Sequence, residues 1–129
     1  MNKRGIASIA VFMAAVILMG CSENKVVIKN IASESVRFNF RGEEYFVERG
    51  SERSVTGIPN GKYEYTTTYR IPSTELSTEE GENLSGELTF RRNETKVSVL
   101  YSSVTDSTSY KIYCNVSSSN NLEATATGY

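Results

Sequence analysis

The chain has 129 residues, with 14 basic and 15 acidic side chains and a formal net charge of −1. This balance lacks the positive surplus that nucleic-acid binding requires. Histidine is absent, which excludes histidine-based acid–base catalysis, Ser–His and Cys–His nucleophile pairs and the usual zinc sites. The length suits a single domain.

The N-terminus has the pattern of a secretion signal. Asn2-Lys3-Arg4 forms a short positive segment, and residues 6–19 are apolar except for Ser8. Such a stretch rises only about 21 Å as a helix, whereas a membrane-spanning helix needs about 20 residues. We therefore interpret it as a cleavable signal rather than as a permanent transmembrane helix.

The apolar stretch ends in Leu18-Met19-Gly20-Cys21. This tetrapeptide resembles the lipobox of bacterial lipoproteins, with an aliphatic residue first, a small residue before the cut and a cysteine after it. The resemblance implies that residues 1–20 are removed by cleavage between Gly20 and Cys21. It also implies that the Cys21 thiol carries a diacylglycerol inserted in membrane lipid. The alternative is an ordinary secretory signal that contains a cysteine by chance.

Ser22 follows the cysteine. An aspartate there retains enterobacterial lipoproteins in the inner membrane, so its absence implies outer-membrane localisation if the cell has an outer membrane. We expect residues 21–24 to be a short tether and residues 25–129 to be one domain close to the bilayer. Loss of Lys3 and Arg4 with the signal leaves 12 basic and 15 acidic residues, a net charge of −3.

Beyond the tether, apolar and polar residues alternate with a period of two, which predicts β-strands. Val36, Phe38 and Phe40, for example, alternate with polar side chains. The predicted strands lie near 25–31, 36–41, 44–49, 53–58, 62–71, 84–92, 95–102 and 108–116, with a short ninth candidate at 122–127. This pattern predicts an all-β, antiparallel two-sheet β-sandwich of about seven to nine strands, and a small β-barrel is the alternative.

Two turns carry specific expectations. Gly42-Glu43 is predicted as a two-residue type II′ hairpin loop, because glycine readily takes a positive φ. Ile58-Pro59-Asn60-Gly61-Lys62-Tyr63 resembles the Leu-x-x-Gly-x-Tyr turn and strand of transthyretin-like and carboxypeptidase-regulatory-type sandwich modules of secreted bacterial proteins. The resemblance implies a transthyretin-like or immunoglobulin-like sandwich, although the tryptophan and paired cysteines of true immunoglobulin domains are absent.

An acidic segment between residues 72 and 83 is predicted to be the longest loop between strands. It contains Glu75, Glu79, Glu80 and Glu82. Long loops on a rigid sandwich are common sites of recognition, so we predict that this segment contacts a partner. A Ca²⁺ site needs about six or more oxygens at set positions, and the spacing does not match the Asp-rich loop pattern. A solvated loop is the simplest interpretation, and we predict no metal ion or cofactor.

Tyrosine is abundant, with eight residues in the chain. Tyr63, Tyr65 and Tyr69 share one predicted strand, where a row of rings could bind a sugar or a peptide. Core filling explains the same three residues, because the chain has no tryptophan and must build bulk from tyrosine and phenylalanine.

Paired carboxylates are the remaining enzymatic option. Glu43, Glu44, Glu48 and Glu52 surround one predicted hairpin and could in principle act as a glycosidase pair. Charged residues at strand edges usually prevent edge-to-edge pairing instead, so we assign no catalytic residue and do not predict an enzyme.

Cys114 falls in an alternating apolar series with Ile112 and Val116, which predicts a buried thiol. The alternative is an exposed thiol that pairs with another chain. With Cys21 lipidated, Cys114 has no disulfide partner within its own chain.

The sequence therefore favours a non-catalytic, membrane-anchored module of the cell envelope. We expect it to contact another protein or a glycan, or to contribute structurally to an envelope assembly. A carrier of a small ligand or a cation, using the acidic segment or the tyrosine row, is the second hypothesis. A small glycan-acting hydrolase is the third.

Overall fold

A computed structural model describes residues 23–120 of the chain. Nine strands lie in this range: β1 (Lys25–Asn30), β2 (Val36–Phe40), β3 (Glu43–Val47), β4 (Ser51–Thr56), β5 (Gly61–Tyr69), β6 (Ser77–Glu80), β7 (Gly86–Phe90), β8 (Lys96–Thr105) and β9 (Ser109–Ser118). The eight strands predicted between residues 25 and 116 are confirmed, and their ends shift by at most three residues. The predicted signal at 1–20, Cys21 and the strand candidate at 122–127 lie outside the described residues.

The strands form two sheets that pack face to face as a β-sandwich. The five-stranded sheet has the order β4-β1-β8-β9-β6, and the four-stranded sheet has the order β3-β2-β5-β7. The two sheets remain separate and open at their edges, which confirms the predicted sandwich and not the barrel alternative. Over residues 23–120, the fold contains no helix with the length and apolar character needed to cross a bilayer.

Two strand pairs differ from the all-antiparallel prediction. β1 lies parallel to β8, with Lys25 beside Lys96, and β6 lies parallel to β9, with Ser77 beside Ser109. Alternation of apolar residues reports which face of a strand is buried and carries no information about strand direction. The parallel β1–β8 pair brings the first residues of both strands to the same end of the sheet.

Side chains from both sheets fill the space between them. The Phe38 ring stacks on Tyr65 with centroids 5.4 Å apart, and Phe40 approaches Phe90 at 6.1 Å. The largest fully buried side chains are Tyr101, Tyr110, Phe38, Phe40, Phe90, Ile28, Ile58, Ile112, Val26, Val36, Val47 and Val99. Cys114 belongs to the same core with 6% exposure, so its predicted burial is confirmed.

The acidic segment 72–83 is not a continuous loop, because β6 lies inside it. All four β6 side chains are exposed. Hydrogen bonds from the Ser77 N–H to the Thr108 carbonyl (3.0 Å) and from the Gly81 N–H to the Ile112 carbonyl (2.9 Å) hold the strand against β9. A strand that buries neither face has no apolar alternation, which is why the sequence did not reveal it.

The first hairpin turn is also displaced from its prediction. Arg41 and Gly42 form the turn with φ angles of 55° and 77°, and β3 already begins at Glu43. Two consecutive positive φ angles define a type I′ turn rather than the predicted type II′ turn. The Arg41 guanidinium lies 5.4 Å from the centroid of the Tyr63 ring, which partly offsets the cost of a left-handed arginine.

Strand β1 runs from one end of the sandwich to the other, a distance of about 20 Å. We call these two ends the N-terminal pole and the distal pole. The N-terminal pole comprises residues 23–25, 56–62, 91–96 and 118–120. The distal pole comprises residues 31–35, 48–50, 70–76 and 104–108.

Candidate functional site

A buried asparagine closes the N-terminal pole. Asn24 is 1% exposed, whereas the sequence predicts that it belongs to the tether. Its Nδ2 donates to the Ile58 carbonyl at 2.7 Å and to Oδ1 of Asn60 at 3.0 Å. Its Oδ1 accepts the Thr95 N–H at 3.0 Å. The packed part of the chain therefore already includes Asn24.

Two further hydrogen bonds extend this network. The Lys96 Nζ donates to the Glu23 carbonyl at 2.9 Å, and the Asn93 N–H donates to Oδ1 of Asn60 at 2.9 Å. An open depression of about 540 Å³ lies beside them, lined by Glu23, Asn24, Gly57, Ile58, Pro59, Arg92 and Asn93. The chain at Glu23, the 57–60 loop and the 91–95 turn thus form one connected surface.

The N-terminal pole carries a positive excess. Its basic side chains are Lys25, Lys62, Arg91, Arg92 and Lys96, and its acidic side chains are Glu23 and Glu94. Arg92 and Glu94 approach each other at 4.0 Å while both remain mostly exposed, so water screens the pair and little stability comes from it. The positive charge is local, because the whole chain has a net charge of −1.

The distal pole has a matching asparagine and the opposite charge. Asn30 is fully buried, and its Nδ2 donates to the carbonyls of Glu34 (2.9 Å) and Val47 (3.0 Å). Its Oδ1 accepts the Ala32 N–H at 2.9 Å. The acidic side chains of this pole are Glu34, Glu48, Glu75 and Asp106, and the basic ones are Arg49 and Arg70.

Asp106 organises the turn between β8 and β9 at the distal pole. Its Oδ1 accepts the N–H groups of Thr108 (2.8 Å) and Ser109 (2.7 Å). Hydrogen bonds from these two backbone groups lower the pKa of Asp106 to about 2, because they favour the ionised carboxyl. The turn therefore depends on a negative charge.

The four glutamates of the acidic segment lie along one sheet edge without converging. Glu79 pairs with Lys111 at 3.4 Å, and Oε2 of Glu80 accepts the Tyr69 hydroxyl at 2.7 Å. Glu75 and Glu82 are exposed in the flanking turns. Among residues 23–120, no three acidic or cysteine side chains lie together as a metal site would require.

The hydroxyls of the three tyrosines in the predicted row all donate hydrogen bonds to other groups of the same domain. Tyr65 is 4% exposed and donates to the Asn83 carbonyl at 2.7 Å, and burial raises its pKa to about 12. Tyr63 and Tyr69 are partly buried and pack against the core. Tyr63 donates to the Pro59 carbonyl at 2.9 Å, and burial with the Glu80 contact raises the pKa of Tyr69 to about 12.

The glutamates around the first hairpin make separate local contacts. Glu44 pairs with Arg37 at 3.3 Å, and Oε2 of Glu43 accepts the Tyr45 hydroxyl at 2.9 Å. The length of β3 separates these two glutamates from Glu48, which lies in the distal pole. Glu52 lies in β4 of the other sheet.

Two buried tyrosines differ in how their hydroxyls are satisfied. The Tyr101 hydroxyl shares a 2.5 Å hydrogen bond with Oγ1 of Thr67, which joins the two sheets. The Tyr110 hydroxyl is fully buried and has no hydrogen-bond partner in the described part of the chain. Burial also raises the pKa of the Cys114 thiol to about 11, so the protonated, poorly reactive form dominates at neutral pH.

Sequence reasoning missed the two buried asparagines and the clustering of basic residues at one end. Asn24 and Asn30 continue the inward-facing series of Val26 and Ile28, so period two could have indicated that both are buried. No local sequence pattern indicated the positive charge of the N-terminal pole, because its basic residues come from three separated stretches of sequence that the topology brings together.

Comparison with known proteins gives no matching protein-family model, curated protein or solved structure.

Proposed function

We propose that the chain is a lipid-anchored, non-catalytic module of the bacterial envelope. In this proposal Cys21 carries the acyl chains, the N-terminal pole faces the membrane, and a more distant surface contacts another envelope component. Ser22 after the cysteine supports the outer membrane as the location. The lipobox resemblance of residues 18–21 supports the anchor, since two or more acyl chains make membrane attachment lasting.

The observation that carries the proposal is the burial of Asn24. Because Asn24 is packed into the sandwich by three hydrogen bonds, the Cα atoms of Cys21 and Asn24 can be at most about 10 Å apart. A module held at this distance cannot reach far from the bilayer. It is suited to contacts within the envelope rather than to long-range adhesion.

The partner-contact surface that we favour is the outer edge of β6 with its flanking glutamates. Within residues 23–120, β6 is an edge strand with β9 on one side only, and its side chains are all exposed. Free edge strands can pair with an extended segment of another chain. The surrounding Glu75, Glu79 and Glu82 favour a protein segment with basic side chains over an uncharged glycan.

The anchor is tested by fractionation of cells that express Cys21→Ala. We expect this variant to move from the membrane fraction to the soluble or unprocessed pool. Cys114→Ala is the matched control, because it removes the other cysteine and leaves the lipobox intact. If Cys21→Ala remains membrane-bound and normally processed, the anchor proposal is wrong.

The contact surface is tested by placing a photo-crosslinking residue at Ser77 and irradiating intact cells. We expect a discrete crosslinked partner, and we expect Glu75→Lys with Glu82→Lys to reduce its yield. The control is Glu64→Lys with Glu87→Lys, which reverses two exposed charges on the outer face of the four-stranded sheet. Equal yields from both double variants would argue against the acidic edge as the contact surface.

A further inference from the structure

We infer that the N-terminal pole is itself a docking surface for anionic phospholipid headgroups, which holds the domain on the membrane in one orientation. This inference rests on the proposed anchor and adds to it. The anchor keeps the chain at the bilayer, whereas the positive charge of the N-terminal pole determines which surface of the domain faces the lipid.

Distance is the first support for this docking surface. The Lys96 Nζ lies 2.9 Å from the Glu23 carbonyl, and Arg92 lines the same depression as Glu23. Glu23 is two residues, or about 7 Å of extended chain, from the proposed lipid-bearing Cys21. The Lys96 ammonium would therefore lie at most about 10 Å from Cys21, a distance comparable to the screening length of about 8 Å at physiological salt.

The second support is that the basic residues are presented on a fixed framework. The Arg91 N–H donates to Oγ1 of Thr95 at 2.9 Å, and the Asn93 N–H is bonded to Asn60. Arg92 itself has a φ of 60°, and its side chain is 80% exposed. A turn that is already ordered loses little conformational entropy when it docks.

The charge of the opposite end is the third support. The distal pole contains four acidic and two basic side chains, whereas the N-terminal pole contains five basic and two acidic ones. An anionic surface attracts one end and repels the other, so the charges act as an orienting dipole. Each Lys or Arg near such a surface is expected to raise the ratio of docked to undocked domain about fivefold.

The test uses the lipidated chain purified from membranes and inserted into vesicles of phosphatidylcholine, with or without phosphatidylglycerol. A fluorophore is attached to Thr56→Cys at the N-terminal pole or to Ser107→Cys at the distal pole, and a quencher is attached to lipid headgroups. We expect phosphatidylglycerol to increase quenching at position 56 and not at position 107. Added salt should reverse the increase.

The charge variants separate docking from simple proximity. Lys62→Glu with Arg92→Glu should abolish the phosphatidylglycerol-dependent increase. Arg49→Glu with Arg70→Glu makes the same charge change at the distal pole and should leave that increase intact. Equal quenching on both vesicle types, with the chain still sedimenting with them, overturns the docking inference alone. Failure to sediment with phosphatidylcholine vesicles overturns the proposed anchor and the inference with it.

Discussion

The two poles of the sandwich are built alike and charged differently. Each has a buried asparagine at one end of β1, and Asn24 and Asn30 each make three hydrogen bonds to neighbouring backbone or side-chain groups. The loops of the N-terminal pole then carry mainly basic residues, whereas those of the distal pole carry mainly acidic ones. The shared feature stabilises the fold, and charge is what differs between the two surfaces.

The largest expected effect concerns the asparagines that the poles share. Asn24→Ala and Asn30→Ala should each lower the free energy of unfolding by about 2–4 kcal/mol, because each leaves buried backbone groups without partners. Chemical denaturation at neutral pH measures the loss. If one variant is much less destabilised than the other, the two poles are not structurally equivalent.

Asn39→Ala is the matched control for this pair. Nδ2 of Asn39 also donates two hydrogen bonds, to Thr66 (3.2 Å) and Thr68 (3.0 Å), but on the exposed face of the four-stranded sheet. Water can replace both bonds, so we expect a loss of no more than about 0.5–1 kcal/mol. A loss as large as that of Asn24→Ala would show that burial is not the cause.

Two buried tyrosines of the five-stranded sheet, Tyr101 and Tyr110, should respond differently to loss of their hydroxyls. Tyr101→Phe should lower the free energy of unfolding by about 1 kcal/mol, because Thr67 loses its buried partner. Tyr110→Phe removes a buried hydroxyl that has no partner among the described residues, and should be neutral or stabilising by up to about 1 kcal/mol. Denaturation of the two variants side by side measures the difference. Equal destabilisation would contradict the assignment of these hydroxyls.

The smallest expected effect concerns acid sensitivity, which should differ between the poles. The pKa of Asp106 is lowered to about 2, so its stabilisation of the distal turn is complete above the ordinary value near 3.8 and is lost as the pH falls through about 2. At the N-terminal pole, the Thr95 N–H is held by the amide oxygen of Asn24, which does not titrate.

Hydrogen exchange measured by NMR between pH 4 and pH 2 tests this difference. After correction for intrinsic exchange rates, protection of the Ser109 N–H should fall with acid while protection of the Thr95 N–H stays constant. Asp106→Asn should remove the pH dependence at Ser109. Parallel loss of protection at both sites would indicate global acid unfolding and would contradict the local explanation.

Much of the fold could be predicted from the sequence, because a half-buried strand records its inward face directly in its residues. Val36, Phe38 and Phe40 alternate with polar positions, and all three are buried. β6 was not predicted, because its Ser, Thr and Glu side chains are all exposed and therefore show no alternation of apolar and polar residues. Strand direction also escaped prediction, since the same alternation is compatible with parallel and antiparallel pairing.

The candidate surfaces were less predictable than the fold. The acidic segment was visible because its glutamates are close in sequence, but their position along one sheet edge depended on strand β6, which the sequence did not predict. The positive charge of the N-terminal pole could not be predicted, because Lys25, Lys62 and Lys96 lie far apart in the chain and are brought to one end only by the topology. Local composition predicts features made by one segment, and it does not predict surfaces assembled from several.

We propose that a lipid on Cys21 holds the N-terminal pole of the sandwich at the membrane. Mass spectrometry of the intact protein extracted from membranes tests it most directly. We predict a chain that begins at Cys21 and carries the added mass of a diacylglycerol, commonly with a further acyl group on the new amine. A chain that begins at Met1, or one with an unmodified thiol at position 21, would contradict the claim.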